Sequence, residues 1–415
     1  MYTSLTNCRY CKSKNLTSVL SLGEQYLTGV FPENENEIIT KGPLELCICN
    51  NCALVQLSHS YDLIEMYGDN YGYRSGLNPT MIEHLQNKAA ILEGTVDLLP
   101  SDFIIDIGSN DATLLKSYKF NCNKVGIDPT GNKFSHFYPK NIDLIADFFS
   151  KKNILDAFDG FNSAKIITSI AMFYDLCDPQ KFICDVRDLL DVDGVWHFEQ
   201  SYLPTMIETN SYDTICHEHL EYYSLTMINK MLRENGMKII DVKINEINGG
   251  SFAVTACKKE ARFEVNSHNV DFLIKKEKIL GIDTQKPFMK FRNSILNHKK
   301  ELINILNKLK KEGKIVHGYG ASTKGNVILQ FCGITNEHID YIAEVNPEKF
   351  NKITPGTNIK IISETESRRH KPDYYLVLPW HFKNFIIQKE HEFIKNGGKL
   401  IFPLPNIEII SNGKN

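Results

Sequence analysis

The sequence predicts an α/β protein with two units of parallel sheet flanked by helices, preceded by a small cysteine-rich module. Apolar runs of strand length alternate with helical segments between residues 101 and 260. A shorter series of the same kind begins near residue 313, and two C-x-x-C pairs lie within the first 60 residues. Alternation of strand and helix is typical of a mostly parallel sheet with helices on both faces.

The composition is that of an ordinary globular protein of several domains. The chain has 415 residues, of which 42% are hydrophobic and 23% charged, with a net charge of −3. A length of this order predicts two to four domains. The slightly acidic balance argues against a nucleic-acid partner, which favours a basic face. No apolar run approaches ~18 residues and no secretory segment is recognisable, so we expect a cytoplasmic protein without a membrane partner.

The first 60 residues predict a metal site. Clustered cysteines in a reducing compartment indicate metal ligands rather than disulfides. Two C-x-x-C pairs suit a tetrahedral zinc ion, and four thiolates leave no open position for catalysis. We therefore predict a structural zinc-binding module, residues 1–60, with redox-active pairs as the weaker alternative. The predicted ligands are Cys8, Cys11, Cys49 and Cys52.

The following stretch, up to residue 100, is a bridge dense in tyrosine and glycine. Residues 67–78 read YGDNYGYRSGLN, and residues 79–92 predict a helix with Asn78 as its N-cap. Loops carry function more often than packed elements do. This loop is therefore either a lid over a site or a packed connection.

Residues 104–115, IIDIGSNDATLL, predict a cofactor-binding turn. A buried strand ends at Asp106, and Gly108 permits a sharp turn before a helix. A second apolar run ends at Asp128, where an acid can bind both hydroxyls of a ribose. Neither G-x-G-x-x-G nor a P-loop lysine is present, so a single glycine with polar neighbours favours S-adenosylmethionine over a dinucleotide. The alternative is a generic strand–turn–helix.

The ends of the next two strands extend this predicted site. An acid beside an aromatic residue after the third strand can receive adenine by hydrogen bonding and stacking. The end of the fourth strand, near residues 169–175, should open toward the reactive end of the cofactor. The predicted cofactor-binding residues are Ser75, Asp106, Gly108, Ser109, Asn110, Asp111, Asp128, Asp147, Phe148 and Ser169.

The densest ionisable cluster is residues 212–224, YDTICHEHLEYYS. It follows the fifth predicted strand and should lie over the carboxyl edge of the sheet. His217 and His219 would not share a face on a helix, so metal binding is the weaker interpretation. A histidine base with Glu218 as the carboxylate that tunes or orients it is the better one. Capping and packing at a helix start is the structural alternative.

Residues 263–312 predict a lysine-rich helical connector, and residues 313–415 a second α/β unit. The segment KIVHGYGASTKGN reads as strand, glycine turn and helix, and strands follow at 339–343, 374–378 and 399–402. Such a turn can present backbone N–H groups to phosphate, with Lys324 as an added charge. A purely structural glycine turn remains open, because lone G-x-G signals are weak.

Taken in order, the motifs resemble one known family. They are the paired C-x-x-C module, YGYRSGLN, DIGSNDATLL, HEHLEYYS, NGGSF, GYGASTKGN, LVLPWHFK and GGKLIFPLP. Across essentially the whole chain the sequence resembles the three-domain sugar C-methyltransferases of deoxysugar pathways. The resemblance implies a zinc-binding module, a class I (Rossmann-like) methyltransferase domain at 61–262 that includes the tyrosine-rich loop, and a Rossmann-like C-terminal domain that binds a nucleotide sugar. It implies methylation at C-3 of an NDP-4-keto-deoxyhexose.

The resemblance also implies roles for individual residues. His219 matches the base of the family, Glu218 its acidic partner, and Tyr71 and Tyr73 its tyrosine loop. Tyr174 and the pair Cys216-His217 depart from the pattern, and Tyr174 or His217 would act as substitute donors. The residues expected to seat the nucleotide sugar are Gly318, Tyr319, Gly320, Ala321, Ser322, Lys324, Asn326 and Trp380.

Three other functions fit parts of the sequence. One is O-methylation of a sugar hydroxyl with the same base. Another is an NAD-dependent nucleotide-sugar oxidoreductase, although no clear acid follows Gly320 by about 20 residues at the end of a second strand, and Glu344 lies only loosely there. The last is a zinc-dependent binding module with an inactive methyltransferase core. For the oligomeric state we expect a monomer or a weak homodimer.

Overall fold

The N-terminal module is built from short antiparallel strands. The computed structural model describes residues 2–62, 65–66 and 73–412. Tyr71 lies outside these residues. The strands are β1 (Tyr2–Ser4), β2 (Leu16–Tyr26), β3 (Lys41–Cys49), β4 (Val55–Leu57) and β5 (His59–Tyr61). β2, β3 and β4 pair antiparallel in sequence order, and β1 pairs with β5. Cysteine spacing alone gave no indication of these strands, because it constrains the metal site and not the chain between its ligands.

The central unit follows the strand–helix alternation that the sequence predicts. The helix predicted at 79–92 is α1 (Pro79–Glu93), and the side chain of Asn78 accepts a hydrogen bond from the N–H of Thr80, as an N-cap does. The other elements are β6 (Phe103–Ile107), α2 (Thr113–Ser117), β7 (Asn123–Ile127), α3 (Gly131–Phe134), β8 (Asp143–Ile145), α4 (Lys151–Ala157), β9 (Ala164–Ile170), α5 (Pro179–Leu189), β10 (Leu190–Ser201), α6 (Leu203–Glu208), β11 (Glu221–Tyr222), α7 (Leu225–Glu234), β12 (Met237–Asn245) and β13 (Ser251–Lys258).

Seven of these strands form one sheet in the order β12-β13-β10-β9-β6-β7-β8. β8, β7, β6, β9 and β10 are parallel, and β13 runs antiparallel between β10 and β12. The strand order reverses between β6 and β9. In open α/β sheets ligands bind at such a reversal, beyond the carboxyl ends of the strands. The predicted class I methyltransferase fold is confirmed.

A two-residue strand connects the central unit to the N-terminal module. β11 pairs with β4, so the N-terminal sheet has the order β11-β4-β3-β2. β11 begins two residues after His219. The module therefore shares its sheet with the segment that carries the histidine cluster.

Two helices form the predicted connector, α8 (Ser267–Leu280) and α9 (Lys286–Lys311). The C-terminal unit then contains β14 (Val316–Tyr319), α10 (Thr323–Cys332), β15 (Tyr341–Glu344), β16 (Lys360–Ser363), α11 (Glu364–Arg369), β17 (Tyr374–Val377), α12 (Lys383–Lys389), α13 (His391–Lys395), β18 (Lys399–Phe402) and β19 (Glu408–Ile410).

The C-terminal sheet has six strands in the order β16-β15-β14-β17-β18-β19. All pairs are parallel except the edge pair β18 and β19. This confirms a Rossmann-like unit, although the sequence predicted only about four strands. The strands β16 and β19 were missed because each starts with a charged residue, Lys360 or Glu408, and contains only two apolar residues.

The hydrophobic cores cross the boundaries between these units. One core joins Leu44 and Leu46 of the N-terminal sheet to α9 and to the C-terminal sheet. A second joins the cysteines of the module to the central sheet through Phe173 and Tyr223. The N-terminal module is therefore packed on both neighbours, as expected for a segment too small for a core of its own.

Among the described residues, no helix has both the length and the apolar composition needed to cross a bilayer.

Candidate active site

The four predicted metal ligands meet in the N-terminal module. The Sγ atoms of Cys8, Cys11, Cys49 and Cys52 all lie within 4.8 Å of one another. The Cys8–Cys52 pair is 3.6 Å apart and the Cys11–Cys49 pair 3.5 Å. A tetrahedral zinc ion with bonds of about 2.3 Å requires sulfurs roughly 3.8 Å apart. The donor set therefore fits zinc, whereas the fifth cysteine of the module, Cys47, lies outside this cluster.

Each C-x-x-C pair sits on a similar turn. The N–H of Lys12 donates to the carbonyl of Cys8, and the N–H of Ala53 donates to the carbonyl of Cys49. Both Lys12 and Ala53 have positive φ angles, 60° and 65°. Amide groups also reach the sulfurs, since Gln56 Nε2 lies 3.3 Å from the Sγ of Cys8. Donors to sulfur stabilise thiolates and orient metal ligands.

The predicted cofactor turn lies at the carboxyl edge of the central sheet, between β6 and α2. Gly108 has a φ of +73°, and a Cβ added there would lie 3.1 Å from the side chain of Met172. Its N–H donates to the carbonyl of Ile127 on β7. Backbone freedom and close approach both require glycine at this position.

Asp128 organises the turn from the end of β7. Its carboxylate accepts hydrogen bonds from the N–H of Asn110, and from the N–H and hydroxyl of Thr130. An ionised carboxylate can accept about four hydrogen bonds. One acceptor position therefore remains, enough for one ribose hydroxyl and not for the two that the sequence predicted.

Beyond β8, Asp147 and Phe148 offer an open surface. Asp147 is exposed and Phe148 is 45% exposed, although it is a large apolar ring. Asp147 accepts a hydrogen bond from the N–H of Phe148. An exposed ring beside an acceptor is suited to an adenine, and together with the glycine turn these residues fit S-adenosylmethionine.

The segment after the tyrosine-rich loop lies on this turn. Asn110 accepts from the N–H of Ser75 and donates to the carbonyl of Tyr73, and Asp111 accepts from the N–H of Gly76. Ser109 instead bonds the hydroxyl of Tyr138, a partner that sequence reasoning missed. The side chains of Asn110 and Asp111 therefore fasten the loop to the turn, a role different from the direct cofactor contact predicted.

Two residues predicted to bind the cofactor lie inside the sheet instead. Asp106 is buried and accepts from the hydroxyl of Thr168, and burial raises the pKa of Asp106 to about 7. Ser169 is fully buried and accepts from the indole N–H of Trp196. Side chains alternate between the two faces of a strand, so strand-end residues do not all face the ligand. Both contacts are structural, and cofactor binding by Asp106 and Ser169 stays a prediction.

The predicted base, His219, is oriented by a backbone carbonyl. Its Nδ1 lies 2.7 Å from the carbonyl oxygen of Thr214. A carbonyl only accepts, so Nδ1 carries the proton and Nε2 carries the lone pair. Burial, with Lys324 nearby, lowers the pKa of His219 to about 3. The imidazole is therefore neutral at physiological pH, with Nε2 unprotonated.

Glu218 does not orient His219, contrary to the prediction, because the Nδ1 of that ring is already bound to Thr214. A Cβ added at Gly29 of the N-terminal module would lie 2.2 Å from Oε1 of Glu218 and 3.4 Å from the hydroxyl of Thr323. Burial raises the pKa of the Glu218 carboxyl. Its Oε2 is buried, with no hydrogen-bond partner among the described residues. Glu218 thus lies where all three units meet.

Tyr174 and His217 have different positions relative to the base. The ring of Tyr174 lies 4.1 Å from the ring of His219, centroid to centroid, which keeps Tyr174 in the candidate site. His217 is fully buried and packs edge-on against Tyr61 of the N-terminal module at 4.6 Å. His217 therefore packs between units, and its role as a substrate donor stays a prediction.

The glycine turn of the C-terminal unit is filled by its own side chains. Glu344, at the end of β15, accepts from the N–H of Ala321. A Cβ at Gly318 would lie 2.3 Å from Ile342, and one at Gly320 would lie 2.8 Å from Pro379. These glycines therefore serve packing, and a carboxylate occupies the N–H group that a dinucleotide phosphate would need. This argues against the oxidoreductase alternative.

The other residues predicted to seat the nucleotide make contacts within the protein. The hydroxyl of Tyr319 donates to Glu390, the hydroxyl of Ser322 caps α10, and the amide of Asn326 donates to the carbonyl of Thr28. Each of these contacts is structural, and nucleotide binding by Tyr319, Ser322 and Asn326 stays a prediction.

Lys324 and Trp380 point at the central unit. Lys324 Nζ lies 2.5 Å from the carbonyl oxygen of Asn248 and 3.4 Å from the hydroxyl of Thr214. The indole N–H of Trp380 donates to Asp213 at 2.8 Å. Both residues contact the segment before the predicted base, and their contact with the substrate stays a prediction.

Sequence reasoning missed three polar residues of this region. Thr214, Asn248 and His381 lie around Lys324. Burial, and to a smaller extent the charge of Lys324, lowers the pKa of His381 to about 3. The motifs NGGSF and LVLPWHFK contain two of them, so the sequence carried a signal for Asn248 and His381. Thr214 acts through its backbone carbonyl, which no residue type reveals.

Comparison with known proteins matches two domain families and one relative over the whole chain. Residues 246–405 match the family described as "C-methyltransferase C-terminal domain", and residues 8–67 match the "Putative zinc binding domain". C-methyltransferase NovU from Streptomyces niveus is 28% identical over 410 residues, which cover 98% of this chain and 97% of NovU.

Solved structures resemble the chain over less than half its length. The plantazolicin methyltransferase BpumL, in complex with SAH, has a TM-score of 0.34 and 12% identity, covering 44% of this chain and 87% of its own. The complex of the Haloferax volcanii Trm112 methyltransferase activator includes a chain with a TM-score of 0.34 and 11% identity, covering 43% of this chain and 94% of that one.

Proposed function

We propose that the chain methylates the carbon beside the ketone of a nucleotide-activated 4-keto-deoxysugar, at C-3. The proposal starts from two likenesses: residues 246–405 match the C-methyltransferase C-terminal domain family, and C-methyltransferase NovU resembles the chain over nearly its whole length. The enzyme is an S-adenosylmethionine-dependent methyltransferase with a zinc site of four cysteines. Its substrate is a small molecule. The sugar, the nucleotide and the carbon atom are parts of the proposal.

One observation carries the proposal, namely the bond between the carbonyl of Thr214 and Nδ1 of His219. It fixes a neutral imidazole with its lone pair on Nε2. A C–H bond beside a ketone is acidic enough for a positioned base to break. A neutral base is what this reaction requires, because a protonated imidazole could not accept the proton.

The other residues near His219 supply what the resulting enolate needs. An enolate oxygen must be stabilised by a hydrogen-bond donor that is already in place. Burial favours the protonated carboxyl of Glu218, whose Oε2 has no partner among the described residues. We assign Glu218 as the donor to the keto oxygen, with Tyr71, Tyr73 and Tyr174 as further donors around the sugar. Proton transfer to Nε2 and hydrogen bonding from Glu218 would thus occur on the same substrate.

We assign different parts of the chain to the cofactor, the metal and the substrate. When bound, S-adenosylmethionine supplies an electrophilic methyl group. The residues we assign to hold it are Gly108, Ser109 and Asp128, with Asp147 and Phe148 at the adenine and Ser75, Asn110 and Asp111 closing the tyrosine-rich segment over the turn. We assign residues 1–60 to zinc, 61–262 to methyl transfer, 263–312 to the connector and 313–415 to the nucleotide of the substrate.

The variant His219→Asn tests the base. Asparagine cannot accept the proton, so turnover should fall by at least about 10³-fold, which is within the range that a general base contributes. The dissociation constant for S-adenosylmethionine, measured by calorimetry, should stay within a factor of three, since Gly108 and Asp128 are untouched. Full activity in this variant would overturn the assignment.

Solvent exchange distinguishes C-methylation from O-methylation. In deuterium oxide, enolate formation should wash deuterium into the carbon beside the ketone when a non-reactive cofactor analogue is bound. O-methylation by the same base requires no such exchange. Absence of exchange together with methyl transfer would favour the O-methyltransferase alternative.

A further inference from the structure

The turn before the catalytic histidine is held by residues from outside the central unit. This 3₁₀ turn, Tyr212–Thr214, is fully buried or nearly so. The Tyr212 hydroxyl lies 3.2 Å from Nδ1 of His298 on α9, and its ring packs on Phe331 of α10. The connector and the C-terminal unit therefore enclose the first residue of the turn.

Two side chains of the C-terminal unit reach the other residues of the turn. Trp380 donates to the Asp213 carboxylate at 2.8 Å, and Lys324 Nζ lies 3.4 Å from the Thr214 hydroxyl. The carbonyl of Thr214 in turn holds Nδ1 of His219. A continuous chain of contacts thus runs from the C-terminal unit to the base.

The central unit is shaped to receive these side chains. Asn248, Gly249 and Gly250 all have positive φ angles, 55°, 86° and 120°. A Cβ at Gly249 would lie 3.0 Å from the Trp380 ring, and one at Gly250 would lie 2.2 Å from Thr205. This strained turn aims the Asn248 carbonyl at Lys324, and strained backbone is retained where the surroundings demand it.

We propose that Lys324 and Trp380 are positioning residues, through which the C-terminal unit holds the Tyr212–Thr214 turn and fixes the tautomer and orientation of His219. This rests on the proposed function, in which His219 is the base. The C-terminal unit is then part of the catalytic apparatus in addition to binding substrate.

The charged and titratable groups around the base fit this arrangement. Cys216 and Glu218 precede His219 on its own segment, Asp213 lies on the turn, and the ring of Tyr174 packs against the ring of His219. From the C-terminal unit come Lys324 and, beside it, His381. Among the described residues Lys324 has no carboxylate within ion-pair distance, so its charge acts on the turn and on both rings.

Two variants of the full-length protein test the proposal. Lys324→Met removes the charge and keeps most of the stem, and Trp380→Phe removes the N–H and keeps an aromatic ring. The readout is nitrogen-15 NMR of the histidine rings, with the His219 signals assigned by their loss in His219→Asn. Lys324→Arg, which keeps a charged donor, should retain most of the wild-type behaviour.

We expect His219 to be protonated only on Nδ1 in the wild type and to populate both tautomers in Lys324→Met and Trp380→Phe. In Lys324→Met its pKa should rise by about one unit, because a nearby positive charge has been removed. The kcat for methyl transfer should fall about tenfold or more in both variants, with the S-adenosylmethionine affinity unchanged.

Two controls separate positioning from general damage. Trp196→Phe removes another buried indole donor, and Lys383→Met removes another partly buried lysine that pairs with Glu408. Neither should change the His219 signals. Wild-type tautomer and pKa of His219 in both test variants would overturn the proposal. The NMR readout needs no substrate. Failure of the positioning proposal can therefore be distinguished from failure of the proposed function, which would appear as absence of methyl transfer to a keto sugar.

Discussion

At the scale of single residues, the candidate site depends on a glycine and a backbone bend whose roles the sequence pattern does not reveal. Gly29 has no catalytic chemistry, yet its missing side chain makes the space that Oε1 of Glu218 occupies. His217 and His219 are two residues apart and would share a face of an extended chain. A bend at residues 217–218 sends one ring into the N-terminal module and leaves the other beside Tyr174.

The variant Gly29→Ala should therefore impair catalysis from the N-terminal module. The added methyl group would displace the flexible end of Glu218, so we expect kcat to fall about tenfold, in the range for a misplaced catalytic group. Zinc content and the melting temperature should change little. The matched control is Gly94→Ala, where a Cβ meets only ordinary contacts. Equal kcat in the two alanine variants would contradict this view of Glu218.

At the scale of elements, local sequence signals predicted individual strands, caps and metal ligands, but they did not predict the contacts between units. The strands β6, β7 and β9, the N-cap of α1 and the four cysteines were all evident from the sequence, because each depends on neighbouring residues. The pairing of β11 with β4 was not, since two residues carry no strand signal. Nor was the contact of Lys324 with Asn248, which depends on how two separately folded sheets pack.

Zinc removal tests how far the N-terminal sheet supports the base. Cys52→Ser should lose zinc, measured by elemental analysis, and should lower the free energy of unfolding by several kcal/mol, since metal binding supplies folding energy. Activity should fall with it, because β11 joins this sheet two residues after His219. Cys47→Ser is the matched control, a buried cysteine of β3 outside the metal cluster. Full activity without zinc would contradict the coupling.

At the scale of the whole molecule, buried neutral histidines make the fold sensitive to acid. Burial, and to a smaller extent the charge of Lys88, lowers the pKa of His197 to about 3. The folded pKa thus lies below the unfolded value of about 6.5. The stabilisation is complete above about pH 6.5 and is lost as the pH falls from there toward 3.

Urea unfolding at pH 7.5 and at pH 5.0 measures this contribution. Between these two values the wild type should lose up to about 2 kcal/mol more stability than His197→Gln, since glutamine does not titrate. The other histidines contribute equally to both proteins and cancel. His268→Gln, at an exposed site on α8, should behave as the wild type does. Equal losses in His197→Gln and the wild type would show that His197 is not responsible.

The three units thus meet near Gly29, where Oε1 of Glu218 and the hydroxyl of Thr323 both approach the position of a Cβ. From the sequence alone, the predicted sheets appear in the order found in the structure, and the identity of the base stays a prediction. It could not predict that the orienting group is the Thr214 carbonyl or that Glu344 fills the C-terminal turn. Both depend on backbone positions that side-chain identity does not encode.

The most direct test of the central claim is mass spectrometry of the purified enzyme incubated with S-adenosylmethionine and a panel of NDP-4-keto-deoxysugars. We expect a product in which a methyl group replaces one hydrogen, with fragmentation placing that methyl group on the carbon beside the ketone. Recovery of every keto sugar unchanged, by protein that contains zinc and binds S-adenosylmethionine, would contradict it.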